Sequence, residues 1–435
     1  MTFNRVKDPR YTASSLTRTV LDQSLFINEL LNDSLSSFEY SQRRFITELV
    51  YGTVRNMKHL DFWIFKAFKK PLKRIDPELL SIIRTSLYQI IFMNNRDAAL
   101  VVNEAAELGK KCGGEKTGGF VNFILREILR LDPSKENMEK FFKKDPDKFL
   151  QTFYSVPEWL YRRMVTLMPE EPVETYLQII NRPLGITLRV EGDEKTKEKV
   201  IENLVSKGAE AVAAKDCRYA IYTSKAVNYD MIKDIAGVFI QDESSQLAVC
   251  DMDINKGDTV LDLCAAPGGK TLFAAYLTGN TGKVVGVDIN RHRLNLLTEA
   301  AVRHKKSNIE VKLHDAGIPK PEWNSSFDKV LIDAPCSALG TIRRHPEIKW
   351  LKNDSDPEKM SIQAGKILNA AADYVKKDGI LLFAVCTFTK EETTDQIQKF
   401  LLKHTNFKVE KAYYTVSSIH DNRDTFFICA MRKTK

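Results

Sequence analysis

Two cysteines and one aspartate in the C-terminal half of the chain have the side-chain types and the spacing for covalent chemistry. Asp333 and Cys336 belong to the run Asp-Ala-Pro-Cys, and Cys386 ends a separate apolar run further along. Both runs are typical of buried β-strands. Because neighbouring strands of a parallel sheet end at the same edge, we expect the two sulfurs and the carboxylate to share one small site.

Two thiols beside a carboxyl group suit methyl transfer to C5 of a pyrimidine, an atom that is a poor nucleophile. A thiolate that adds to C6 allows C5 to attack an electrophilic methyl group; a base then removes the C5 proton and the thiolate leaves. A carboxyl group at N3 stabilises the charge that develops during addition. The target base must leave its stack to reach such a pocket. A cysteine protease would instead need a base histidine, and His345, the nearest candidate, has no evident Asn or Asp partner.

The elements that must position these residues are five strand-like runs that alternate with helical segments, a pattern that predicts a parallel α/β sheet. These runs cover residues 259–264, 283–288, 309–315, 327–333 and 379–386. Such sheets bind ligands beyond the carboxyl ends of their strands. The polar residues that end the five runs should therefore converge on one crevice.

The first run leads into a glycine-rich loop that joins a strand to a helix. It contains Cys264, Ala265, Ala266, Pro267, Gly268, Gly269 and Lys270. Its backbone N–H groups could receive a polar or anionic ligand, although its glycine spacing is neither that of a P-loop nor that of a dinucleotide fingerprint. Asp288 could accept from a ribose diol and Asp315 from an adenine amino group. Singly, each aspartate is as often a structural cap; together they indicate S-adenosylmethionine.

Composition places the chain among globular proteins: 435 residues, 43% hydrophobic and 28% charged, enough for two or three domains. The formal net charge of +8 permits an anionic partner. No apolar run of ~18 residues predicts a membrane span, and residues 1–7 lack the apolar region of a secretory signal. The seven scattered cysteines, never spaced C-x-x-C, argue against a disulfide framework and a zinc site. We expect no metal and a reducing, cytoplasmic location.

Residues 1–140 have apolar side chains at helical spacing, which predicts an all-helical domain. Asp76 and Pro77 mark the start of one helix. Glycines within 112–119 predict a loop before a final helix over 120–129. This region holds 22 Lys and Arg against 17 Asp and Glu. The basic excess fits a module that docks RNA, and a structural bundle with a solvated charged face is the equal alternative.

Residues 141–235 are interpreted as a linker and a small α/β unit. Strands are predicted at 184–190 and 219–223, with a helix over 195–208 between them. We expect this unit to extend an RNA groove, like a reduced RNA-recognition fold. Asp242 or Ser244 would cap a helix at the start of the last domain, 236–435.

Several long motifs resemble the RNA cytosine-5 methyltransferases. They are residues 262–271, 333–337 with Gly340 and 343–346, and 241–246. The N-terminal third is similar to the NusB-like RNA-binding domain through residues 48–55, 102–104 and 119–122. The combination resembles the bacterial ribosomal RNA small-subunit methyltransferase B family, over essentially the whole chain.

This resemblance implies an α/β class I methyltransferase domain, Rossmann-like, with a mostly parallel seven-stranded sheet. It would follow the small α/β unit and an all-α NusB-like domain. The implied reaction transfers a methyl group from S-adenosylmethionine to C5 of a cytosine in 16S ribosomal RNA; transfer RNA as substrate, or a catalytically weak assembly factor, are the alternatives. The expected partner is ribosomal RNA, free or in early assembly, with no obligate protein partner.

The resemblance also assigns roles to residues. Cys264–Lys270, Asp288, Asp315 and Asp333 would contact the cofactor. Cys386 would be the nucleophile, and Cys336 would assist its release from the methylated base.

Arg343, Arg344 and His345 are our candidates for substrate contact, since an RNA strand beside the site offers phosphates to arginines. The equal alternative is that one arginine pairs with Glu347 and braces the loop.

Overall fold

The computed structural model describes residues 8–93, 97–167, 172–224, 227, 229–418 and 421–435. The contacts within it divide the chain into two compact units, Met1–Asn181 with His345–Asn353, and Arg182–Arg344 with Asp354–Lys435. The argument about a secretory signal concerns residues 1–7, which lie outside the described residues. Among the helices that are described, none is long and apolar enough to cross a membrane.

The first unit is helical, as predicted, and buries the large side chains Trp63, Ile82 and Ile124 in one core. Asp76 caps the helix that begins at Pro77 by accepting from the backbone N–H groups of its first turn. The helices are α1 (Pro9–Gln23), α2 (Ile27–Ser34), α3 (Tyr40–Arg55), α4 (Met57–Phe68), α5 (Pro77–Phe92), α6 (Ala98–Gly113), α7 (Glu115–Arg130), α8 (Lys135–Phe141), α9 (Pro146–Phe153), α10 (Glu158–Leu167) and α11 (Val173–Asn181).

One prediction for this unit is wrong: the glycines of 112–119 do not form a loop, because α7 already begins at Glu115. Gly118 lies inside the helix for a packing reason. A Cβ at this position would stand 2.7 Å from the carbonyl oxygen of Ala106 and 2.3 Å from Cγ of Lys110. Glycine here allows α6 and α7 to approach closely, and that contact outweighs its low helix propensity.

The second unit begins with a four-stranded antiparallel sheet in the order β2-β3-β1-β4. Its strands are β1 (Thr187–Val190), β2 (Ala211–Ala213), β3 (Ala220–Thr223) and β4 (Val238–Ile240), and its helices are α12 (Glu194–Ser206) and α13 (Tyr229–Ile232). Both predicted strands and the helix between them are confirmed with shorter bounds. The strands β2 and β4 have three residues each, too few to show an alternating pattern. Asp242 then caps α14 (Glu243–Cys250), as predicted.

The larger sheet has seven strands in the order β10-β11-β9-β8-β5-β6-β7, which confirms the predicted fold class. Pairing is parallel from β9 to β7 and antiparallel at β10 and β11. The strands are β5 (Thr259–Asp262), β6 (Lys283–Asp288), β7 (Ile309–Leu313), β8 (Phe327–Asp333), β9 (Val375–Val385), β10 (Phe407–Thr415) and β11 (Phe426–Lys433). The helices are α15 (Gly269–Leu277), α16 (Arg291–Arg303), α17 (Ile348–Leu351), α18 (Asp356–Ala371) and α19 (Thr394–Lys403).

The segment His345–Asn353, which contains α17, belongs to the helical unit although it follows β8 in sequence. Lys349 Nζ donates to the carbonyl oxygen of Arg55 at 2.6 Å, and Trp350 Nε1 donates to that of Val54 at 2.7 Å. The segment is thus held at the C-terminal turn of α3. Since the contacts resolve two units, the three predicted domains, 1–140, 141–235 and 236–435, stay a prediction.

Candidate active site at the carboxyl edge of the sheet

The register of β8 and β9 brings the two cysteines together. The strands pair in parallel with Asp333 opposite Ala384, so the residues that follow each strand leave the sheet side by side. Cys336 Sγ and Cys386 Sγ lie 3.3 Å apart, close enough for a hydrogen bond between the thiols. The expected proximity is therefore observed, and the roles of the two residues stay predictions.

Lys270 supplies the positive charge at this site. Its Nζ donates to Asp333 Oδ2 at 2.6 Å, and the side chain of Lys270 is 11% exposed. Burial lowers the pKa of Lys270, but Asp333 and the hydrogen bond to it raise the pKa by more, so the net shift is upward. Lys270 therefore stays charged and neutralises Asp333.

The Cys386 thiol holds its proton firmly. The hydrogen bond with Cys336, then burial, then the charge of Asp333 raise the pKa of Cys386 well above its usual range, and Lys270 acts in the opposite direction. Burial, with Asp262 and Asp333, likewise raises the pKa of Cys264. Lys270 is thus the group that favours the thiolate of Cys386, the reactive form of a cysteine.

The glycine-rich loop has the shape of a ligand cradle. Gly268 has φ +113°, and a Cβ there would stand 2.5 Å from Cδ1 of Leu297, so this position requires glycine. The N-terminus of α15, which starts at Gly269, has no side-chain cap. Its free N–H groups can receive a ligand.

Acidic side chains lie at the ends of β5 and β6 and beyond β7. Asp262 is 1% exposed, and its Oδ2 accepts from Thr271 Oγ1 at 2.7 Å while its Oδ1 has no partner. Burial raises the pKa of Asp262 to about 7. Asp288 accepts from the N–H groups of Asn290 and Ala266 at 2.9 and 3.3 Å. Each carboxylate oxygen of Asp288 keeps a further lone pair for a ligand.

Asp315 is exposed after β7, where its Oδ1 accepts from the N–H of Gly317 at 2.9 Å. That bond forms a turn. Its contact with a cofactor stays a prediction.

The three candidate RNA contacts are placed differently from one another. Arg344 Nε donates to Asp424 Oδ2 at 3.0 Å and its Nη2 to Asp242 Oδ2 at 2.9 Å. Arg343 is 3% exposed, and its Nη1 donates to the carbonyl oxygen of Ser418 at 3.1 Å. Arg344 is thus paired with Asp242 and Asp424, and not with Glu347, the acid that the bracing alternative named. RNA contact by either arginine stays a prediction.

His345 lies in the helical unit, with its ring edge-on to Phe26 at 5.6 Å between centroids. Its Nδ1 stands 3.4 Å from Glu347 Oε1. RNA contact by His345 also stays a prediction.

Sequence reasoning missed Arg189, which holds the glycine-rich loop from the small sheet. Arg189 is 0% exposed; its Nη1 donates to the carbonyl oxygen of Gly269 at 2.8 Å and also to the side chain of Gln241. The guanidinium carbon lies 4.1 Å from the ring centroid of Phe239 and 4.7 Å from that of Phe273. A charged residue within the apolar run of β1 was the available signal, because a buried arginine requires partners.

Metal chemistry has no candidate site in the described ranges, where no three His, Cys, Asp or Glu residues are grouped to hold an ion. All seven cysteines are free thiols in the structure.

Comparison with known proteins gives a match for each part of the chain. The family model described as 16S rRNA methyltransferase RsmB/F matches residues 249–432, the NusB family matches 7–130, and the ferredoxin-like domain of RsmF/B-like methyltransferases matches 156–230.

The solved structure of PH0851 superposes with a TM-score of 0.80 at 24% identity over 98% of this chain and 99% of its own. NSun6 from Pyrococcus horikoshii, solved with SFG, has a TM-score of 0.53 at 18% identity over 64% of this chain and 98% of its own. These two likenesses show the fold.

Two relatives cover nearly the whole chain. The probable ribosomal RNA small subunit methyltransferase B of Bacillus subtilis is 32% identical over 94% of this chain and 95% of its own. The corresponding protein of Proteus mirabilis is 30% identical over 90% of this chain and 91% of its own. This chain therefore belongs to the ribosomal RNA small subunit methyltransferase B family, as its motifs predicted.

Proposed function

We propose that this chain transfers a methyl group from S-adenosylmethionine to C5 of a cytosine in 16S ribosomal RNA. The observation that carries the proposal is the 3.3 Å separation of Cys336 Sγ and Cys386 Sγ at the carboxyl edge of a methyltransferase sheet, next to the ion pair of Lys270 and Asp333. Family membership supports ribosomal RNA as the substrate class. The thiol pair supports a covalent route to a ring carbon.

The residues around the glycine-rich loop fit S-adenosylmethionine. The unpartnered Oδ1 of buried Asp262 suits the ammonium group of an amino-acid tail, and the uncapped start of α15 suits its carboxylate. Asp288 would accept from the ribose diol, and Asp315 from the adenine amino group. When bound, the donor supplies an electrophilic methyl group on a sulfonium.

Addition to the base is the task of Cys386. Its thiol proton passes to the Asp333 carboxylate, and the sulfur lone pair forms the bond to C6 of the flipped cytosine. Asp333 then passes that proton to N3, which stabilises the electron density displaced there, while Lys270 keeps its charge across the 2.6 Å hydrogen bond to Asp333. The C5 atom thereby becomes nucleophilic enough to take the methyl group.

Release of the product is the task of Cys336. Its sulfur, in the thiolate form and 3.3 Å from that of Cys386, would accept the C5 proton of the methylated adduct, while N3 returns its proton to Asp333. The electron pair of that C–H bond restores the C5=C6 double bond, and the bond from C6 to the Cys386 sulfur breaks. The Cys386 thiolate and the methylated cytosine are then free.

Bisulfite sequencing of total RNA from cells with and without the gene tests the proposal. We expect one protected cytosine in 16S ribosomal RNA to become convertible when the gene is deleted, and protection to return with the wild-type gene but not with Cys386→Ala. If a cytosine in a transfer RNA lost its protection instead, the substrate would be transfer RNA and not 16S ribosomal RNA. If no RNA position changed, and purified protein transferred no tritiated methyl group, the protein would be an RNA-binding assembly factor.

A further inference from the structure

A single buried carboxylate, Glu392, lies behind the two cysteines. It is 1% exposed and precedes α19. Its Oε1 accepts from the backbone N–H of Ser337 at 2.6 Å. Its Oε2 accepts from the hydroxyl groups of Ser337 at 2.6 Å, Thr387 at 3.1 Å and Thr389 at 2.6 Å.

Two of these donors belong to the residues that directly follow the thiols. Ser337 comes after Cys336 and Thr387 comes after Cys386, and their hydroxyl oxygens are 3.0 Å apart. The loop after Cys336 also contacts the other cysteine through the backbone N–H of Gly340, which donates to the carbonyl oxygen of Cys386 at 2.9 Å. Glu392 thus joins the two loops that carry the sulfurs.

We propose that Glu392 is the positioning residue that sets the separation of the Cys336 and Cys386 sulfurs, a role that rests on the proposed covalent methyl transfer. Glu392 is bonded to the residues after the cysteines and not to the sulfurs, so it acts through geometry. The strands β8 and β9 end before either cysteine, at Asp333 and Val385. The backbone pairing of β8 with β9 therefore ends before the two cysteines. Beyond that point, the hydrogen bonds of Glu392 hold the two loops together.

The charge of Glu392 is what allows one side chain to do this. An ionised carboxylate is an acceptor only, with four lone-pair sites, and four donors reach it here. Hydrogen bonds to an ionised group are shorter and stronger than neutral ones. A glutamine in its place would keep only one acceptor oxygen. Its amide N–H₂ group would face either the N–H of Ser337, which cannot accept, or the three hydroxyl groups, which must rotate to accept, so the present set of four bonds would be lost.

A trivalent arsenical tests this geometry without RNA or methyl donor. Phenylarsine oxide reacts with two thiols that lie close together, forming two S–As bonds and releasing one water. We expect Glu392→Gln to weaken arsenical binding at the Cys336–Cys386 pair by about tenfold, because the second bond is intramolecular only while the sulfurs stay close. Alkylation of single thiols by iodoacetamide should change little. Cys217 and Cys250 also interact with each other and form a second pair of thiols that could bind the arsenical. Arsenical binding by Cys336→Ala, which lacks the proposed pair, therefore measures the background to subtract.

Steady-state kinetics give the second readout. Displacing reacting groups by about 1 Å can cost roughly a hundredfold in rate, so we expect kcat of Glu392→Gln to fall by about that factor with KM values for RNA and donor nearly unchanged. Ser337→Ala, which removes one hydroxyl donor, should show a smaller loss in both assays. Ser361→Ala is the matched control, because Ser361 is also buried and its hydroxyl donates to the Glu358 carbonyl within α18.

The outcomes separate the two proposals. Wild-type arsenical affinity and wild-type kcat in folded Glu392→Gln would overturn the positioning role. If thermal melting shows Glu392→Gln to be unfolded, Ser337→Ala decides in the same way. An arsenical effect in a protein that methylates no RNA would keep the positioning role for the thiols and reject the proposed reaction.

Discussion

Cys386 is proposed to attack as a thiolate, yet hydrogen bonding to Cys336 and burial raise the pKa of its thiol. A raised thiol pKa keeps the proton on at neutral pH and releases it only as pH rises. The rate should therefore increase with pH through a limb that lies above the ordinary thiol value of about 8.5. Lys270, which lowers the pKa of Cys386, is the residue that brings this limb toward neutrality.

Replacing Lys270 tests that assignment. We expect Lys270→Met to move the ascending limb of kcat/KM to higher pH and to lower the rate at neutral pH by about tenfold or more. The measurement is a pH–rate profile with saturating donor. Lys376→Met is the matched control, because Lys376 also pairs with an aspartate, at 2.8 Å from Asp328, near the start of β8. An unshifted limb would assign thiol activation to another group.

Replacing Cys386 and replacing Cys336 should block the reaction at different steps. We expect Cys386→Ala to abolish methyl transfer, because no sulfur remains to add to C6. Cys336→Ala should instead accumulate a protein–RNA adduct that survives denaturing electrophoresis, because the bond to Cys386 forms but is not broken. Labelled RNA on such gels, with methylation assayed in parallel, checks both. Normal turnover by Cys386→Ala would refute the nucleophile assignment.

Among the elements, β1 and the glycine-rich loop depend on each other. Arg189 in β1 is held between Phe239 and Phe273 and by an ion pair with Glu191 at 2.9 Å. From there it reaches the carbonyl oxygen of Gly269 at the first turn of α15. The small sheet thus supports the start of the helix proposed to receive the donor, a role beyond the RNA groove expected of it.

Arg189→Met keeps much of the apolar stem but removes these hydrogen bonds. We expect the dissociation constant for S-adenosylmethionine to rise by about tenfold, the cost of one lost charge-assisted bond at a binding loop. Isothermal titration calorimetry measures it, and a thermal melt checks folding. Arg432→Met is the control, because exposed Arg432 bonds Glu410 and the carbonyl of Asp378 instead. Unchanged affinity in folded Arg189→Met would limit Arg189 to a structural role.

For the whole molecule, the net charge of +8 predicts how it should bind RNA. Lysine and arginine contacts with phosphates release counterions, so affinity should fall steeply with salt, by about 10³-fold or more between about 50 and 200 mM if six or more phosphates are contacted. Filter binding of 16S ribosomal RNA across this range measures the slope. A flat response would mean that the basic excess does not serve RNA docking.

Local patterns predicted much of this molecule. Parallel strands that are buried on both faces are apolar runs, so β5, β6, β8 and β9 could be found from the sequence; the edge strand β7 is only partly buried and alternates apolar with charged residues. The two antiparallel strands, β10 at the edge of the sheet and β11 beside it, were not among those runs. The α6–α7 junction was predicted as a loop because glycine disfavours helix locally, whereas Gly118 is placed by contact between two helices.

The sequence by itself determined the fold class, the family and the pair of thiols, because periodicity, motif spacing and residue chemistry are written along the chain. Only the tertiary structure decided which charged groups are already paired. Arg344 meets Asp242 and Asp424, Arg189 meets Gly269, and Glu392 meets Ser337. These partners lie 102, 80, 80 and 55 residues apart. A hydrogen bond forms only when the distance between donor and acceptor is right to within a few tenths of an ångström. No local sequence pattern sets distances between remote segments with that accuracy.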